Sequence, residues 1–525
     1  MVGREPIPHR ELAPSSDLSV AARVDGASDV GKVSAFRRRD RSSEPLPLSA
    51  FNFLEAVAAF APFWEACEQI EALAADPHRR GRRAECRVAD NLLVEIATRW
   101  FRSYRATIRT LNDPKTWDRL SAASIEAFPY QPNRRLSPRP PSRSQFHRFR
   151  GRYLEQAESA AVFDTWRAAG REISIQAART IGLFDSSAGT LTEPARQNAV
   201  AGDATFIRSR FNATVGMTSV DPETGEIRPR RYDPDADTYH DGNPSNGNLL
   251  VTALARTDHP HQRLLLDFGF LPKGDRHDAH LFTDLLLDLK TDIPEIAVSL
   301  YDMAIHAADI NRHLNAGIIP VAKVQRTRNG GVATFALGDH VFRRDGEPDQ
   351  TLPVLAVDGT PTITVHSGGE PAAMPLALKK LERRPNANGT HTVYGIWEVP
   401  DHPAVTKRAL RGATTRVRHT ATDDELASGR LRTRALRPIP ESEPTFARLY
   451  GGREDVESFN RHLKELLPDQ RLRCVGILRN TINLTGHQIG LAITALLAHH
   501  RRTASDLSAW FGEWRPPATL LRAAA

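Results

Sequence analysis

Tyr450-Gly451-Gly452-Arg453-Glu454-Asp455-Val456-Glu457-Ser458-Phe459-Asn460-Arg461-His462-Leu463-Lys464 is the stretch on which the fold turns. Arg453, Glu457 and Lys464 are separated by four and seven residues, so on a helix they share one face. Val456, Phe459 and Leu463 recur at the three-and-four spacing of an apolar stripe. The paired glycines start the helix near Arg453 and leave Tyr450 in the preceding turn. A carboxylate flanked by two cations suits a site that holds a metal ion and grips phosphates, but the same pattern describes a surface helix laced with ion pairs. Further acids converging on Glu457 would separate the two readings.

Outward from this helix, strands and helices alternate upstream from about residue 200. Residues 249–255 and 264–271 are apolar runs parted by the polar turn Asp258-His259-Pro260, which predicts an antiparallel hairpin. Asp278 is placed to cap a helix carrying Leu281, Leu285, Leu286 and Leu289. A zinc site from His277, Asp278 and His280 is the alternative, with no further ligand at suitable spacing. Residues 296–300 read as a buried strand ending at Tyr301-Asp302. A helix through Ile310 and Leu314 then stops at Gly317, and 318–324 form the next strand, so strand, helix and strand make a parallel crossover unit. The fold class is α/β.

Short strands punctuated by Gly, Pro and Asp fill residues 325–428, a β-rich insertion. Helical periodicity resumes after Pro444 and runs on through 477–497. Toward the N-terminus, residues 1–48 read as a disordered basic tail with the run Arg37 to Arg39, and 49–128 as a helical domain. Residues 129–194 hold a basic linker and helices. Here Arg134, Arg135, Arg139, Arg143, Arg148, Arg150 and Arg152 lie among prolines and the aromatics Phe146 and Phe149. Guanidinium groups in such a segment bind backbone phosphates of DNA, and a solvated linker is the plainer reading. The remaining divisions are 195–324 and 429–502 for the two parts of the core, and 503–525 for a C-terminal tail.

At 525 residues the chain is long enough for several domains. Its net charge of +7 favours polyanionic partners without demanding them. Three cysteines, Cys67, Cys86 and Cys474, stand too far apart for a C-x-x-C pair, which argues against a disulfide framework. No apolar run approaches the roughly 18 residues of a membrane span, and the N-terminal residues lack a secretory h-region, so a cytoplasmic location is expected.

Written as spacing, the opening stretch is Y-x2-R-x3-E-x6-K. In all four positions it resembles the signature around the catalytic glutamate of DDE transposases from the large bacterial insertion-sequence group typified by the fourth insertion sequence. The resemblance covers roughly residues 195 to 500. It implies a ribonuclease-H-like mixed sheet flanked by helices and interrupted by the β-rich insertion, with two aspartates converging on Glu457. In-line phosphoryl transfer uses two divalent ions held by carboxylate oxygens. Val200-Ala-Gly-Asp203-Ala-Thr205-Phe-Ile is similar to the family's first catalytic strand. Asp302, closing the second, is the counterpart of the next aspartate, with Asp309 its nearest competitor. Lys273-Gly-Asp-Arg-His-Asp278 also resembles the family's segment after the hairpin. One departure is plain: family members follow the second aspartate with a small residue, Gly and an aromatic, whereas Met303-Ala304-Ile305-His306 stand here.

The resemblance implies an endonuclease and strand-transfer enzyme in which Asp203, Asp302 and Glu457 hold two Mg2+ ions, with Mn2+ as a substitute. Tyr450, Arg453 and Lys464 would contact double-stranded DNA at the element's ends and at the target, and two copies would meet at the synapse. A metal-dependent nuclease without strand transfer, and a non-catalytic DNA-binding protein on the same fold, are the alternatives.

Overall fold

The computed structural model describes residues 49–74, 85–101, 103–241, 243–326, 331–367 and 370–516. The expected basic tail at 1–48 lies outside them. Among the described residues seven α-helices come first, α1 (Ala50–Ala58), α2 (Ala61–Ala74), α3 (Val88–Ala97), α4 (Tyr104–Leu111), α5 (Pro114–Ala127), α6 (Arg143–Tyr153) and α7 (Ala160–Thr180). Local chemistry sets several of their ends. Ser103 caps α4, Asp113 caps α5 ahead of Pro114, and Ser142 with Gln145 forms a capping box on α6.

A mixed six-stranded sheet follows, centred on β1 (Ala199–Arg208). A short ribbon, β2 (Thr218–Val220) with β3 (Ile227–Pro229), leads to β4 (Asp237–Asp241) and the long β5 (Asn243–Arg256). β5 runs antiparallel to β1, and its other edge pairs with β4 and then with β6 (Arg263–Phe270). The hairpin read from the two apolar runs is β5 and β6. On the far side of β1 lie β7 (Val298–Leu300) and β8 (Ile319–Val321), both parallel. Both strands are shorter than their apolar runs. Pro320 pairs opposite Ser299 in β8, and a residue without an N–H is tolerated there because β8 is the sheet edge.

Helix α8 (Asp278–Asp292) packs across β1, β5 and β6, and α9 (Ala307–Asn315) ends before Gly317, whose φ of 74° is left-handed. Asp278 is not the cap of α8. It is the first helical residue, and its Oδ2 accepts a hydrogen bond from the Tyr301 hydroxyl at 2.7 Å. The cap position belongs to His277, which makes no side-chain capping bond.

Between β8 and the return to the core stand an antiparallel meander, β9 (Thr334–Phe342), β10 (Gln350–Val357), β11 (Thr360–Ser367) and β12 (Glu370–Pro375), and a second small sheet, β13 (Ala377–Pro385), β14 (His391–Glu398) and β15 (Thr414–Arg418). This β-rich insertion has its own buried cluster, including Phe342, Val354, Ile363, Trp397 and Val417. The chain re-enters through α10 (Asp423–Ser428), α11 (Pro444–Tyr450), a 3-10 turn at Gly451–Arg453, and α12 (Glu454–Leu466). Tyr450 is the last residue of α11 and not part of a turn, because Pro444 opens a helix that buries Phe446 and Leu449 before the glycines stop it.

The 27-residue α13 (Ile477–Thr503) is buried along most of its length and runs between α7 and β6, where Gln488 Nε2 donates to the carbonyls of Leu265 and Leu266 at 3.0 and 2.8 Å. The N-terminal helices and the mixed sheet share one hydrophobic core. The expected C-terminal tail is not loose where it is described. In α14 (Ser508–Phe511) and just beyond, Trp510, Phe511 and Trp514 are buried, and Trp510 stacks on Phe60 with centroids 5.7 Å apart.

Gly202 shows how closely α8 sits on β1. A Cβ there would lie 2.1 Å from the Phe282 ring, which is itself fully buried. Gly202→Ala is therefore expected to lower stability by about 1–3 kcal/mol through overpacking, read as a reduced urea midpoint with an unchanged slope. A midpoint equal to wild type would mean that the helix stands off the sheet.

Candidate active site

Strand geometry sends neighbouring side chains to opposite faces. Gly202 faces α8, and the next residue, Asp203, faces α12. β1 and β7 are in parallel register, with Ala199 level with Val298 and Ala201 level with Leu300. Continued by two residues, that register would set Asp203 level with Asp302 just past the end of β7, and both carboxylates lie 3.9 Å from the same Arg453 nitrogen. The Met303-Ala304-Ile305 turn keeps Asp302 in place: the Ala304 N–H donates to Oδ1 at 2.8 Å, and Ile305 is buried beneath. The unusual residues after Asp302 thus leave its carboxylate at the strand end.

The third acid comes from α12, whose apolar face, Val456, Phe459 and Leu463, is buried. Gly452 permits the approach, since a Cβ there would lie 2.7 Å from Leu300 Cδ1. On the side away from the acids, Asp455 accepts from Arg196 at 2.6 Å and pairs with Arg256 at 2.7 Å, while Arg263 donates to Ser458 at 2.6 Å. Three arginines on β5, β6 and the approach to β1 thereby fasten the start of α12.

Arg453 joins all three acids. Its Nη1 donates to Glu457 Oε1 at 2.8 Å, and its Nη2 lies 3.9 Å from Asp203 Oδ1 and 3.9 Å from Asp302 Oδ2. Asn460 Nδ2 donates to Asp203 Oδ2 at 3.0 Å. The cluster is graded in exposure: the Asp203 side chain is 19% exposed, that of Asp302 33% and that of Glu457 54%. It is open on the Glu457 side and closed behind Asp203. Asn460 went unnoticed in the sequence although it sits seven residues after Arg453 and three after Glu457, on the same helix face.

Burial pushes the Asp203 carboxyl up to about 6, and the charges of Asp302 and Glu457 add to the rise; Arg453 and the Asn460 hydrogen bond oppose it. Lys464 is close enough that Asp203 partly offsets the downward pull of burial on its ammonium. Tyr450 stacks on Phe446 at 4.9 Å, with Lys323 Nζ 5.8 Å from its ring. Burial raises its phenol, against the pull of Arg453 and Lys323. Tyr450, Arg453, Glu457 and Lys464 therefore gather with the two aspartates.

The other candidates are elsewhere. Asp309 is buried and turned to His280 Nδ1 at 3.0 Å and Arg312 at 3.6 Å. His277 meets His306 ring to ring at 6.1 Å. Among the described residues no three His, Cys, Asp or Glu side chains form a ready metal-holding group, and in the acid cluster the Arg453 guanidinium stands between the carboxylates. The donor set nevertheless fits a hard divalent ion. It offers oxygens only, those of the three carboxylates and, beside Asp203, the buried Asn460 Oδ1, which lacks a hydrogen-bond partner.

The basic segment divides. Arg150 is not available to DNA. It is buried, paired with Glu155 at 2.9 Å and Glu95 at 3.5 Å, and stacked over Tyr104. Arg134 is held by Glu68 at 3.2 Å, and Arg135 donates to the Pro129 carbonyl at 2.9 Å. Arg139, Arg143, Arg148 and Arg152 are exposed. The three cysteines are free thiols, and no helix among the described residues is long and apolar enough to cross a membrane.

Compared with known proteins, the chain matches no family model, and no curated protein is significantly similar to it.

The raised Asp203 carboxyl has a measurable consequence. The native chain binds this proton up to about pH 6, an unfolded aspartate only to about pH 4. Stability therefore falls as pH rises through that window, by up to ~3 kcal/mol. Asp203→Asn removes the ionisation, so at pH 7.5 without divalent ions it is expected to be more stable than wild type by roughly 1–2 kcal/mol, with the gain gone near pH 4. Urea denaturation at both pH values checks this, and a difference that does not change with pH counts against it.

Proposed function

We propose that this chain is a DNA transposase of the DDE type, acting on double-stranded DNA. The observation that carries the reading is the convergence of Asp203 from within β1, Asp302 from just past the end of β7 and Glu457 from α12 on the single guanidinium of Arg453. The strand order β6-β5-β1-β7-β8, with β5 alone reversed, supports a ribonuclease-H-like core. Nothing in an ion-pair-laced surface helix would demand two aspartates from separate strands at the same point.

In this reading Asp203, Asp302 and Glu457 hold two Mg2+ ions, or Mn2+ in their place. Such ions, when bound, activate the attacking oxygen and stabilise the leaving oxygen of an in-line displacement. The protein's own side chains do the rest. Arg453, freed from the carboxylates, turns its fork to a phosphate, which it can grip bidentately. Lys464 adds a point charge on the same helix face, and Tyr450 lines the path of the strand being cut. Asn460 holds the inner oxygen of Asp203 so that the outer one stays turned to the site. Water attacks at the element's end, and the freed 3′-OH then attacks target DNA, with two copies of the chain meeting at the synapse.

Glu457 is exposed, and losing its pair with Arg453 costs under about 1 kcal/mol. Glu457→Gln should therefore fold normally and bind duplex DNA from the ends of the genomic segment carrying the gene. Its Mg2+-dependent cleavage of that DNA is expected to fall by more than about a hundredfold, since even the outer partners of metal ligands are worth 10–100-fold. Cleavage that survives the substitution would remove Glu457 from the site. Joining of labelled ends to a second duplex separates a transposase from a nuclease that only cuts.

A further inference from the structure

Away from the acids, a cavity of about 390 Å³ opens between the N-terminal helices and the segment that follows α12. That volume is within the range of ligand-binding clefts. Five arginines line it: Arg105 from α4, Arg143 from α6, Arg210 just past β1, and Arg471 and Arg473 beyond α12. Asp469 is the one acidic residue among the described residues of the lining. Among the described residues, none of the five arginines has a carboxylate within ion-pair distance.

Neutral acceptors hold three of these guanidinium groups in place. Arg210 donates to the Arg473 carbonyl at 2.6 Å, and Arg471 to the Ser209 carbonyl at 2.9 Å and to Asn212 Oδ1 at 2.7 Å. Arg473 is buried, donates to Asn483 Oδ1 and to the Thr98 and Leu466 carbonyls at 3.0 Å each, and keeps an Nε without a partner. Carbonyls orient a guanidinium but do not neutralise it. Five like charges around one cavity repel, and an anion inside relieves that repulsion.

The cavity also lies on a track from the acids. Asp203 and Arg210 are on the same stretch of chain, and the Leu472 N–H donates to the Arg208 carbonyl at 2.8 Å, fastening the segment after α12 to the end of β1. Between them, Lys464 feels both Asp203 and Arg208. At about 3.3 Å per residue, the extended chain from Asp203 to Arg210 spans at most ~25 Å. This equals roughly seven base pairs of duplex, taken at 3.4 Å each.

We propose that this cavity is a phosphate-binding site that takes a backbone phosphate of the DNA on which the acid cluster acts, within about seven base pairs of the bond being cut. A forked guanidinium matches the oxygens of a phosphodiester, and the exposed Arg143 ties the basic segment 131–152 to the catalytic sheet at this point. The assignment rests on the transposase reading for the identity of the polyanion, whereas a free phosphate or pyrophosphate offers the same chemistry from another source.

The test uses the full chain, a short labelled duplex, and pyrophosphate as the small probe. Arg105 and Arg143 are exposed and make no structural ion pair, so Arg105→Ala/Arg143→Ala should fold; Arg143→Lys keeps the charge as a second variant. Wild type is expected to bind the duplex with a steep salt dependence. The double variant should bind on the order of tenfold more weakly, with a slope shallower by about one unit per arginine, while Arg143→Lys keeps the slope. Equal affinity and slope in wild type and double variant would overturn the cavity assignment and leave the acid site's reading untouched. Pyrophosphate binding that the double variant loses, with no duplex binding by wild type, would assign the cavity to a free phosphate and contradict the DNA reading as well.

Discussion

Three carboxylates drawn from separate parts of a chain repel one another, and this fold gathers them around a single guanidinium. Arg453 touches Glu457 directly and stands within 4 Å of Asp203 and Asp302, so one positive charge offsets a negative cluster that would otherwise splay. The rest of the core serves that convergence. Parallel pairing of β1 with β7 levels the two aspartates. Gly452 lets the turn before α12 press on Leu300, and the Arg196 and Arg256 pairs with Asp455 stop α12 from turning away. In the proposed function, the residue that holds the cluster together is also the one that an arriving cation would displace, which would couple ion entry to release of a phosphate-gripping group.

The cluster is stable at a cost. Burial makes ionised Asp203 unfavourable at neutral pH, and the Arg453 charge and the Asn460 hydrogen bond offset part of this. Local instability of this kind is common at functional sites. The scaffold tolerates it because stability is supplied elsewhere, by α13 threaded between α7 and β6 and by a core shared between the N-terminal helices and the mixed sheet. The β-rich insertion buries many of its apolar residues in a cluster of its own, while Leu381 and Val393 join the main core.

Much of this was legible in the residues because it depends on local spacing. The helix face bearing Arg453, Glu457 and Lys464, the β5 and β6 hairpin, the stop at Gly317 and the strand punctuation of 325–428 all follow from patterns a few residues long. What sequence could not give depends on partners far along the chain. Asp278 looked like a cap, but Tyr301, 23 residues away, takes its carboxylate. Arg150 looked like its basic neighbours, yet Glu95 and Glu155 bury it. Trp510 and Trp514 sat in what read as a tail because nothing nearby announced that Phe60 would stack there. Tyr450 fell one element off because two glycines do not say on which side of them a helix lies. Asn460 carried a usable signal, its spacing from Glu457, which only the position of Asp203 makes meaningful.

Whether the three acids act together as an ion site is decided most directly by anomalous diffraction from crystals of the protein soaked in Mn2+. Manganese is expected between Asp203, Asp302 and Glu457, with the Arg453 guanidinium swung out of the space it holds among them. Crystals in which Arg453 keeps its contacts to the acids and manganese is found only at other carboxylates would contradict this expectation.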